Sequence, residues 1–464
     1  MKLFGTDGIR GRAGEFPLDP VSVRRLGETL GRLLAGTSAR RVVLGGDTRE
    51  STPALIAELA AGLSSEGCPA AFAGTLTTPG VAEVVLGTHA AAGISVSASH
   101  NPFEDNGIKI FGPDGRKLAD SEEERIEEKL LAGRGAEGGR GRGGEGAISE
   151  VSPSPTPPLS PSSPTPRLPL SDPALAEMYL ARLAEHVPVR LNNINIVVDA
   201  GNGAAYRLGP EALVRAGARA RPIHDAPDGR NINDGCGALH PNEMARITRE
   251  GGAAMGVAFD GDADRAIFAD ETGRVLDGDD ILWIIATDWK RKGILGAGGV
   301  VGTIMSNFGL EAAFEREGIP FCRAAVGDRS VARMMDECGS KLGGETSGHV
   351  LLPFSPAGDG IQTALLVASI AVERGKPLSG LATLEKVPQI LRNIRVAKRA
   401  PLEEISSIVR AVESARAKLD HRGRVFLRYS GTEPLLRILV EGQDGDEVMR
   451  IADDLEAMVR AELE

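Results

Sequence analysis

A serine stands on a polar turn directly after an apolar segment. Residues 90–96 read AAAGISV, and Ser-Ala-Ser-His-Asn-Pro follows at 97–102. Proline disfavours the α region for the residue before it, so Asn101-Pro102 prevents helical continuation. We therefore expect Ser99 to be displayed at a strand end, rather than packed away, as a reactive hydroxyl. The alternative is an ordinary polar loop, since Ser, Asn and Pro are common loop residues.

Three carboxylates follow a second apolar segment. Asp260, Asp262 and Asp264 alternate with small residues after Val-Ala-Phe at 257–259. Carboxylates this close repel one another unless a cation lies among them, and oxygen ligands suit a hard ion such as Mg²⁺. An EF-hand loop is disfavoured because Arg265 occupies the position that needs glycine. A solvated acidic turn remains the other alternative.

Two further loops could hold a phosphorylated sugar. Gly-Gly-Glu-Thr-Ser-Gly-His at 343–349 combines groups that donate and accept hydrogen bonds, which suits a polyol. The segment 428–437, RYSGTEPLLR, places two guanidinium groups and two hydroxyls around a glycine turn. That combination suits a phosphate dianion.

Together these loops resemble the α-D-phosphohexomutase superfamily. The resemblance covers nearly the whole chain outside one insert, and its motifs occur in the family's order: FGTDGIRG at 4–11, ASHNP at 98–102, DGDADR at 260–265, GETSGH at 344–349 and SGTEP at 430–434. Four segments look more like the glucosamine branch than the phosphomannomutase/phosphoglucomutase branch: the opening FGTDGIRG, NINDGCG at 231–237, MSNFGL at 305–310 and VGDR at 326–329. One departure is Ala263, where the family frequently has glycine between the aspartates.

The resemblance implies an isomerase that moves phosphate between the two ends of a hexosamine phosphate. Phosphorylated Ser99 passes its phosphoryl group to O1 of glucosamine 6-phosphate, and the bound 1,6-bisphosphate turns end for end. The 6-phosphate returns to the serine, and glucosamine 1-phosphate leaves. This activity feeds UDP-N-acetylglucosamine and cell-wall synthesis.

The resemblance also implies a role for each loop residue. One Mg²⁺ per subunit is held by Asp260, Asp262 and Asp264 with a phosphoserine oxygen of Ser99. Positive charge around the transferring phosphoryl group comes from Arg10, His100 and Arg265. Lys109 is the first candidate for the general acid/base, with a pKa lowered or matched toward neutrality, and His349 is the second.

The same resemblance assigns substrate binding. Glu345 and Ser347 grip sugar hydroxyls, and the phosphate distal from Ser99 is held by Arg428, Ser430, Gly431, Thr432 and Arg437. Alternative functions stay open: a phosphomannomutase/phosphoglucomutase, a non-catalytic phosphosugar-binding paralogue, or a simple phosphatase.

The elements that position these loops follow an α/β pattern. Short β-branched segments at 41–47, 194–199 and 299–304 each precede a helical pattern, which indicates α/β layering. The helix that starts after Ser51 is predicted to have a hydroxyl cap and Pro in its first turn. In the related family, three α/β domains with mixed sheets and a smaller C-terminal α+β domain surround a central active-site cleft.

One stretch cannot belong to a packed core. Residues 133–170 are rich first in Gly and Arg and then in Pro and Ser, which predicts a flexible linker. A proline-rich docking segment is the less favoured interpretation. The predicted domains are therefore 1–132, 171–276, 277–386 and 387–464, with the insert at 133–170.

Composition agrees with a large enzyme of several domains. The chain has 464 residues, 42% of them apolar, and its net charge of −11 argues against nucleic acid as a partner. The four cysteines form no Cys-x-x-Cys pair, which is typical of reduced cytoplasmic thiols. The opening residues lack a signal peptide, and no apolar run spans a bilayer, so we expect a cytoplasmic protein without membrane contact. A homodimer is the expected oligomer from the resemblance.

Overall fold

A computed structural model describes residues 3–5, 7–37, 41–137, 166–187, 189–397, 399–429 and 435–463 of the chain. These residues cluster into two compact units. The first comprises Met1–Leu276 with Ser347–Ser379, and the second comprises Asp277–Thr346 with Gly380–Glu464.

The first sheet of the first unit carries the serine turn. Its strands are β1 (Phe4–Gly5), β2 (Gly8–Arg12), β3 (Val42–Gly46), β4 (Ala70–Thr75), β5 (Ala92–Val96) and β6 (Asp105–Phe111). They lie in the order β1-β2-β6-β5-β3-β4, and β3 pairs in parallel with both β4 and β5. Strand β6 pairs antiparallel with β5 and β2, so the sheet is mixed, as the resemblance implies.

Helices bury both central strands of this sheet. They are α1 (Pro20–Leu34), α2 (Thr52–Ser65), α3 (Thr78–Thr88) and α4 (Asp120–Glu137). Every residue of β3 and β5 is buried, as is usual for parallel strands covered on both faces. The predicted hydroxyl cap of α2 is wrong: Ser51 has helical backbone angles and makes no capping bond, and its Oγ accepts a hydrogen bond from Asn106 instead.

A second mixed sheet in the same unit carries the three aspartates. Its strands are β7 (Asn195–Asp199), β8 (Arg219–Ile223), β9 (Met255–Phe259), β10 (Ala266–Asp270) and β11 (Val275–Leu276), in the order β11-β10-β9-β7-β8. Strands β7, β8 and β9 are parallel, while β9 and β10 form an antiparallel hairpin. The helices along this part are α5 (Pro173–Glu185), α6 (Ala205–Arg215) and α7 (Asn242–Glu250).

The second unit begins with a parallel arrangement. Strand β12 (Val300–Thr303) pairs in parallel with β13 (Phe321–Ala324) and with β14 (Leu342–Gly344). The accompanying helices are α8 (Gly278–Lys292), α9 (Phe308–Arg316) and α10 (Asp328–Cys338). The first unit then resumes with β15 (Val350–Leu351) and α11 (Gly360–Arg374), a helix that packs against β9, β10 and α6.

The C-terminal part of the second unit is a small α+β layer. Strands β16 (Gln389–Arg395), β17 (Gly423–Tyr429) and β18 (Leu435–Gly442) form an antiparallel sheet in the order β16-β18-β17. Helices α12 (Ser406–Leu419) and α13 (Gly445–Leu463) share an apolar core with this sheet. The fold class expected from the sequence, α/β layers followed by a smaller α+β part, is therefore confirmed.

Two details differ from the sequence-based expectations. Helix α4 continues to Glu137, past the predicted start of the insert at 133, while residues 138–165 of the insert lie outside the described residues. Cys322 and Cys338 are well separated in the sequence, yet their Sγ atoms lie 3.1 Å apart as free thiols. Within the described ranges, the helices are all too short or too polar to cross a bilayer.

Candidate active site

Ser99 lies on the turn between β5 and β6 in a left-handed backbone conformation. Its φ is 55°, an unusual value for a non-glycine residue and one that is often found at functional sites. The expectation of a displayed serine is wrong, because Ser99 is fully buried. Its Oγ donates a hydrogen bond of 2.6 Å to Asp260 Oδ2 and lies 3.3 Å from His100 Nδ1.

Two side chains from distant segments hold the peptide of Ser99. Arg49 Nη2 and Asn233 Nδ2 each donate to the Ser99 carbonyl oxygen, at 3.1 and 3.0 Å, and both also reach the carbonyl of Asn101. Arg49 is itself buried and paired with Asp47. Sequence reasoning missed both Arg49 and Asn233. The position of Arg49 in the sequence could have indicated its role. Asp47-Thr-Arg49 directly follows β3, and Ser99 follows β5. Because β3 and β5 are parallel neighbours, both segments lie at the same edge of the first sheet.

The three aspartates occupy the turn of the β9–β10 hairpin. All three are buried, and one carboxylate oxygen of each lies within 4.8 Å of the others. The turn approaches the serine loop closely, because a Cβ on Gly261 would lie 2.5 Å from the Ser99 carbonyl oxygen. Ala263 has φ 57°, which explains why glycine is suited to that position.

The electrostatics of these aspartates favour a bound cation. Burial, followed by the charges of Asp264 and Asp262, raises the pKa of Asp260 well above its usual value. Burial also pushes the pKa of Asp264 upward, but Lys109, His349 and Arg265 outweigh it and hold that pKa well below the usual value. Asp262 Oδ1 and Asp264 Oδ1 are buried and accept no hydrogen bond from the described residues. Oxygens of this kind fit a hard divalent ion.

Lys109 is buried among carboxylates. Its Nζ lies 2.8 Å from Asp262 Oδ2, 3.4 Å from Asp264 Oδ2 and 2.9 Å from Asp7 Oδ2. Burial alone lowers the pKa of Lys109, but the three carboxylates outweigh it and raise that pKa well above the usual value. A pKa near neutrality was expected, and this expectation is wrong. Lys109 is an ammonium in this environment, able to donate a proton but not to accept one.

Arg10, Arg265 and His100 flank the serine. Arg265 Nε lies 4.0 Å from Asp260 Oδ2 and 3.7 Å from Asp264 Oδ1, and Arg10 contacts Asp7 and, at 3.4 Å, Asn101 Oδ1. Burial, then Arg265 and Arg10, lowers the pKa of His100 to about 4. The expected positive charge on His100 is therefore wrong. Its imidazole is neutral near pH 7 and offers a hydrogen bond instead.

The predicted sugar loop divides between the two units. His349 belongs to the first unit, is buried, and has Nδ1 3.8 Å from Asp264 Oδ2, so it lies beside the aspartates. Ser347 also belongs to this unit. Glu345 belongs to the second unit, where its Oε1 accepts a hydrogen bond from the Gly327 backbone N–H at 2.8 Å.

The predicted phosphate loop lies in the C-terminal sheet. Arg428 at the end of β17 is directly opposite Arg437 on β18. Burial, and then the charge of Arg437, lowers the pKa of Arg428. Two like charges facing across a ladder are unfavourable, and an anion between them removes that repulsion. Ser430, Gly431 and Thr432 lie outside the described residues.

The fold and the charged loops define a class of sugar-phosphate mutase, and the family comparisons agree. Four domain families match, described as phosphoglucomutase/phosphomannomutase alpha/beta/alpha domains I, II and III and the C-terminal domain. They cover residues 1–136, 177–273, 277–387 and 391–458 respectively. The chain belongs to the phosphoglucomutase/phosphomannomutase family.

Curated relatives are similar along their whole length. Proteins named phosphoglucosamine mutase from Magnetococcus marinus and Thermus thermophilus are each 42% identical, with 99% of this chain aligned to 92% and 98% of theirs. The protein of the same name from Deinococcus deserti is 44% identical over 99% of this chain and 98% of its own.

Solved structures share the fold. A phosphoglucomutase/phosphomannomutase family protein from Burkholderia thailandensis superimposes with a TM-score of 0.76 at 22% identity, covering 99% of this chain and 97% of its own. Aspergillus fumigatus N-acetylphosphoglucosamine mutase, solved with GlcNAc-6P and magnesium, gives a TM-score of 0.64 at 19% identity over 99% and 96% of the chains.

Proposed function

We propose that this protein is a phosphohexomutase that interconverts glucosamine 6-phosphate and glucosamine 1-phosphate. The observation that carries the proposal is the similarity, at 42–44% identity over nearly the full chain, to relatives named phosphoglucosamine mutase. The buried Ser99–Asp260 hydrogen bond supports it by bringing a hydroxyl nucleophile to a cluster of metal-ligand type. The product is a precursor for UDP-N-acetylglucosamine and the cell wall.

In this proposal Ser99 carries the phosphoryl group and is phosphorylated in the active form. Asp260, Asp262 and Asp264 hold Mg²⁺, which offsets charge on the transferring group when it is bound. Arg10 and Arg265 add positive charge beside the serine, and His100 adds a hydrogen bond. Arg49 and Asn233 are positioning residues, because both grip the Ser99 carbonyl oxygen and neither contacts Oγ.

Proton transfer is assigned to Lys109. The ammonium form supports general-acid action, in which Lys109 gives its proton to Ser99 Oγ as the phosphoryl group leaves, while the accepting O1 hydroxyl of the sugar gives its proton to His349. When the phosphoryl group returns, the neutral lysine takes the proton of the Ser99 hydroxyl and His349 gives a proton to the departing O6. His349, beside Asp264, is also the second candidate for the role given to Lys109.

The remaining loops bind substrate. Glu345 and Ser347 hold sugar hydroxyls in both orientations of the bisphosphate. The distal phosphate is held by Arg428, Ser430, Gly431, Thr432 and Arg437, and the facing cations on β17 and β18 support this assignment. We also propose domain boundaries near 170, 276 and 386. The separate sheets β1–β6, β7–β11 and β16–β18 support them.

The test is a coupled assay with Mg²⁺ on protein whose Ser99 phosphorylation has been quantified by mass spectrometry. We expect a kcat/KM for glucosamine 6-phosphate at least tenfold above those for glucose and mannose phosphates. Comparable turnover of the 2-hydroxy sugars would place the protein in the phosphomannomutase/phosphoglucomutase branch. Phosphate release without isomerisation would identify a phosphatase. Binding without turnover by phosphorylated protein would identify a phosphosugar-binding paralogue.

A further inference from the structure

A second group of ligand-type side chains lies apart from the aspartate turn. Asp199 ends β7, and His224 follows the end of β8, the strand that pairs with β7 in parallel. Cys236 lies on the loop that follows. One ligand atom from each of these residues lies within 4.8 Å of the others. Asp199 and Cys236 are fully buried, and the His224 side chain is 26% exposed.

The histidine at this cluster is oriented as metal-ligating histidines are. Its Nδ1 is buried 3.1 Å from Asp199 Oδ1 but makes no aligned hydrogen bond to any described residue. Its other nitrogen, Nε2, lies 3.3 Å from Glu243 Oε2. A ligating histidine usually gives its second N–H to a carboxylate, which fixes the ring and raises the basicity of the ligating nitrogen. His224 Nδ1 therefore faces Asp199 in the cluster, while Nε2 lies next to the Glu243 carboxylate.

The other two residues can also supply ligand atoms. Each Asp199 oxygen accepts one backbone N–H, from Gly201 at 2.9 Å and from Gly237 at 3.0 Å, and keeps a further lone pair. Among the described residues, Cys236 Sγ accepts a long hydrogen bond of 3.8 Å from Asn202 Nδ2. A weak sulfur contact of this length leaves the thiol available to a metal.

We propose that Asp199, His224 and Cys236 form a binding site for a thiophilic divalent metal of the Zn²⁺ type, separate from the aspartate turn. One thiolate, one imidazole and one carboxylate are ligands that Zn²⁺ accepts, and a water completes a tetrahedral set. Mg²⁺ does not compete effectively here, because it prefers an all-oxygen shell. On binding, the Cys236 thiol forms a sulfur–metal bond and releases its proton to solvent.

The site would stabilise a loop that reaches the serine. Asn233 lies in the same loop as Cys236 and donates to the carbonyl oxygens of Ser99 and Asn101. A metal that holds residues 231–237 against β7 and β8 thus acts as a structural support for the serine turn. It contributes no group to the reacting atoms.

The experiment uses untagged full-length protein, stripped with a chelator and titrated with Co²⁺ as a spectroscopic substitute for Zn²⁺. We expect one equivalent of Co²⁺ to produce a thiolate-to-metal charge-transfer absorption. The absorption should disappear in Cys236→Ser, and Co²⁺ affinity should fall at least tenfold in His224→Gly. Glycine suits the φ of 47° at this position, so the second variant removes the ligand without straining the backbone.

Two controls separate this cluster from other candidates. Asp260→Asn should keep the absorption, because the aspartate turn has no sulfur. Cys322→Ser should also keep it, although the Cys322–Cys338 pair is another place where thiols lie close together. The proposal is overturned if wild-type protein shows no such absorption, if Cys236→Ser and His224→Gly both bind Co²⁺ as wild type does, or if the absorption disappears in Cys322→Ser. If the wild-type protein shows no charge-transfer absorption, Asp199, His224 and Cys236 stabilise the loop through hydrogen bonds without a metal.

Discussion

The buried cations around Ser99 and the two arginines of the C-terminal sheet differ in the charge of their neighbours. Around Ser99, buried Lys109 is matched by three carboxylates, and buried Arg49 is matched by Asp47. On β17 and β18, Arg428 and Arg437 face each other as like charges. In the first region each of these cations is paired with carboxylates, whereas in the second the facing like charges repel, and an anion between them offsets that repulsion.

This difference indicates that the Ser99 region is suited to phosphoryl transfer and the arginine pair to binding the phosphate group. A compensated and buried network fixes atoms within a narrow range of positions, which phosphoryl transfer requires. A pair of facing guanidinium groups attracts a dianion without demanding one orientation of the rest of the substrate. A sugar bisphosphate that must bind in two orientations needs both properties.

Removing the nucleophile should have the largest effect on the serine side of this comparison. We expect Ser99→Ala to abolish mutase turnover while sugar-phosphate affinity stays within about threefold, because phosphate capture is assigned to the other region. Turnover would be followed in the coupled assay and affinity by calorimetry. Ser97→Ala is the matched control, and it should retain measurable activity. Substantial turnover by Ser99→Ala would show that another residue carries the phosphoryl group.

Removing one partner of the buried Arg49–Asp47 ion pair should have the next largest effect. Arg49→Ala leaves buried Asp47 without its partner and frees the Ser99 carbonyl oxygen, so we expect a loss of about 3–5 kcal/mol in the free energy of unfolding. Arg32→Ala removes a more exposed ion pair with Glu66 and should lose less than about 1 kcal/mol. Chemical denaturation of both variants measures the contrast. Equal losses would mean that burial of the network is unimportant.

On the arginine side, the effect should fall on substrate binding. We expect Arg437→Gln to raise KM about ten- to a hundredfold through the lost charge-assisted bonds, with a smaller effect on kcat. Steady-state kinetics test this. An unchanged KM would remove Arg437 from the phosphate site.

The buried carboxyl of Asp359 should show a distinct pH dependence. Asp359 caps α11, accepts a hydrogen bond from Tyr179, and has a pKa raised to about 7 by burial. The folded chain thus holds this proton more tightly than the unfolded chain. The stabilisation is complete below about pH 4 and is lost as pH rises through 7.

Asp359→Asn should remove this pH dependence while keeping the cap. Relative to wild type, we expect the variant to gain about 1.4 kcal/mol in unfolding free energy between pH 6 and pH 8, as follows from the linkage relation for a pKa near 7. Parallel pH profiles of wild type and Asp359→Asn would contradict the raised pKa.

The smallest effect concerns backbone strain beside the aspartates. Ala263 occupies the left-handed region, so Ala263→Gly should stabilise the protein by about 1 kcal/mol without loss of metal binding. Thermal denaturation measures the gain. The matched comparison is Ala60→Gly inside α2, where the same substitution in a helical backbone should lose about 1 kcal/mol. A destabilised Ala263→Gly variant would argue against strain at this turn.

Much of the architecture could be predicted from the sequence because each functional loop is formed by contiguous residues. The strand before Ser99, the aspartate turn after β9 and the membership of the family follow from contiguous residues, and each is confirmed by the strands or the relatives. The positions of Arg10, Lys109 and Arg265 close to these loops also agree with the expectation. The individual roles assigned to these residues stay predictions.

What the sequence could not predict depends on contacts between distant segments. Arg49 and Asn233 meet at the Ser99 carbonyl only because β3 neighbours β5 and because the loop after β8 reaches the turn. His100 is neutral because burial and two arginines from separate segments combine at its ring. The approach of Cys322 to Cys338 likewise arises from the packing of β13 with α10.

Both flanks of the insert return to the same sheet layer. Leu130 of α4 lies in the core of the first sheet, and on the far side Ser171 bridges to Phe72 of β4, while the Asp172 N–H donates to the Phe72 carbonyl at 2.7 Å. Doubling the chain between two anchored ends adds only about 0.6 kcal/mol of closure entropy. We therefore expect that lengthening the chain between α4 and Ser171, for example by inserting a fluorescent reporter, changes the stability of the first sheet little.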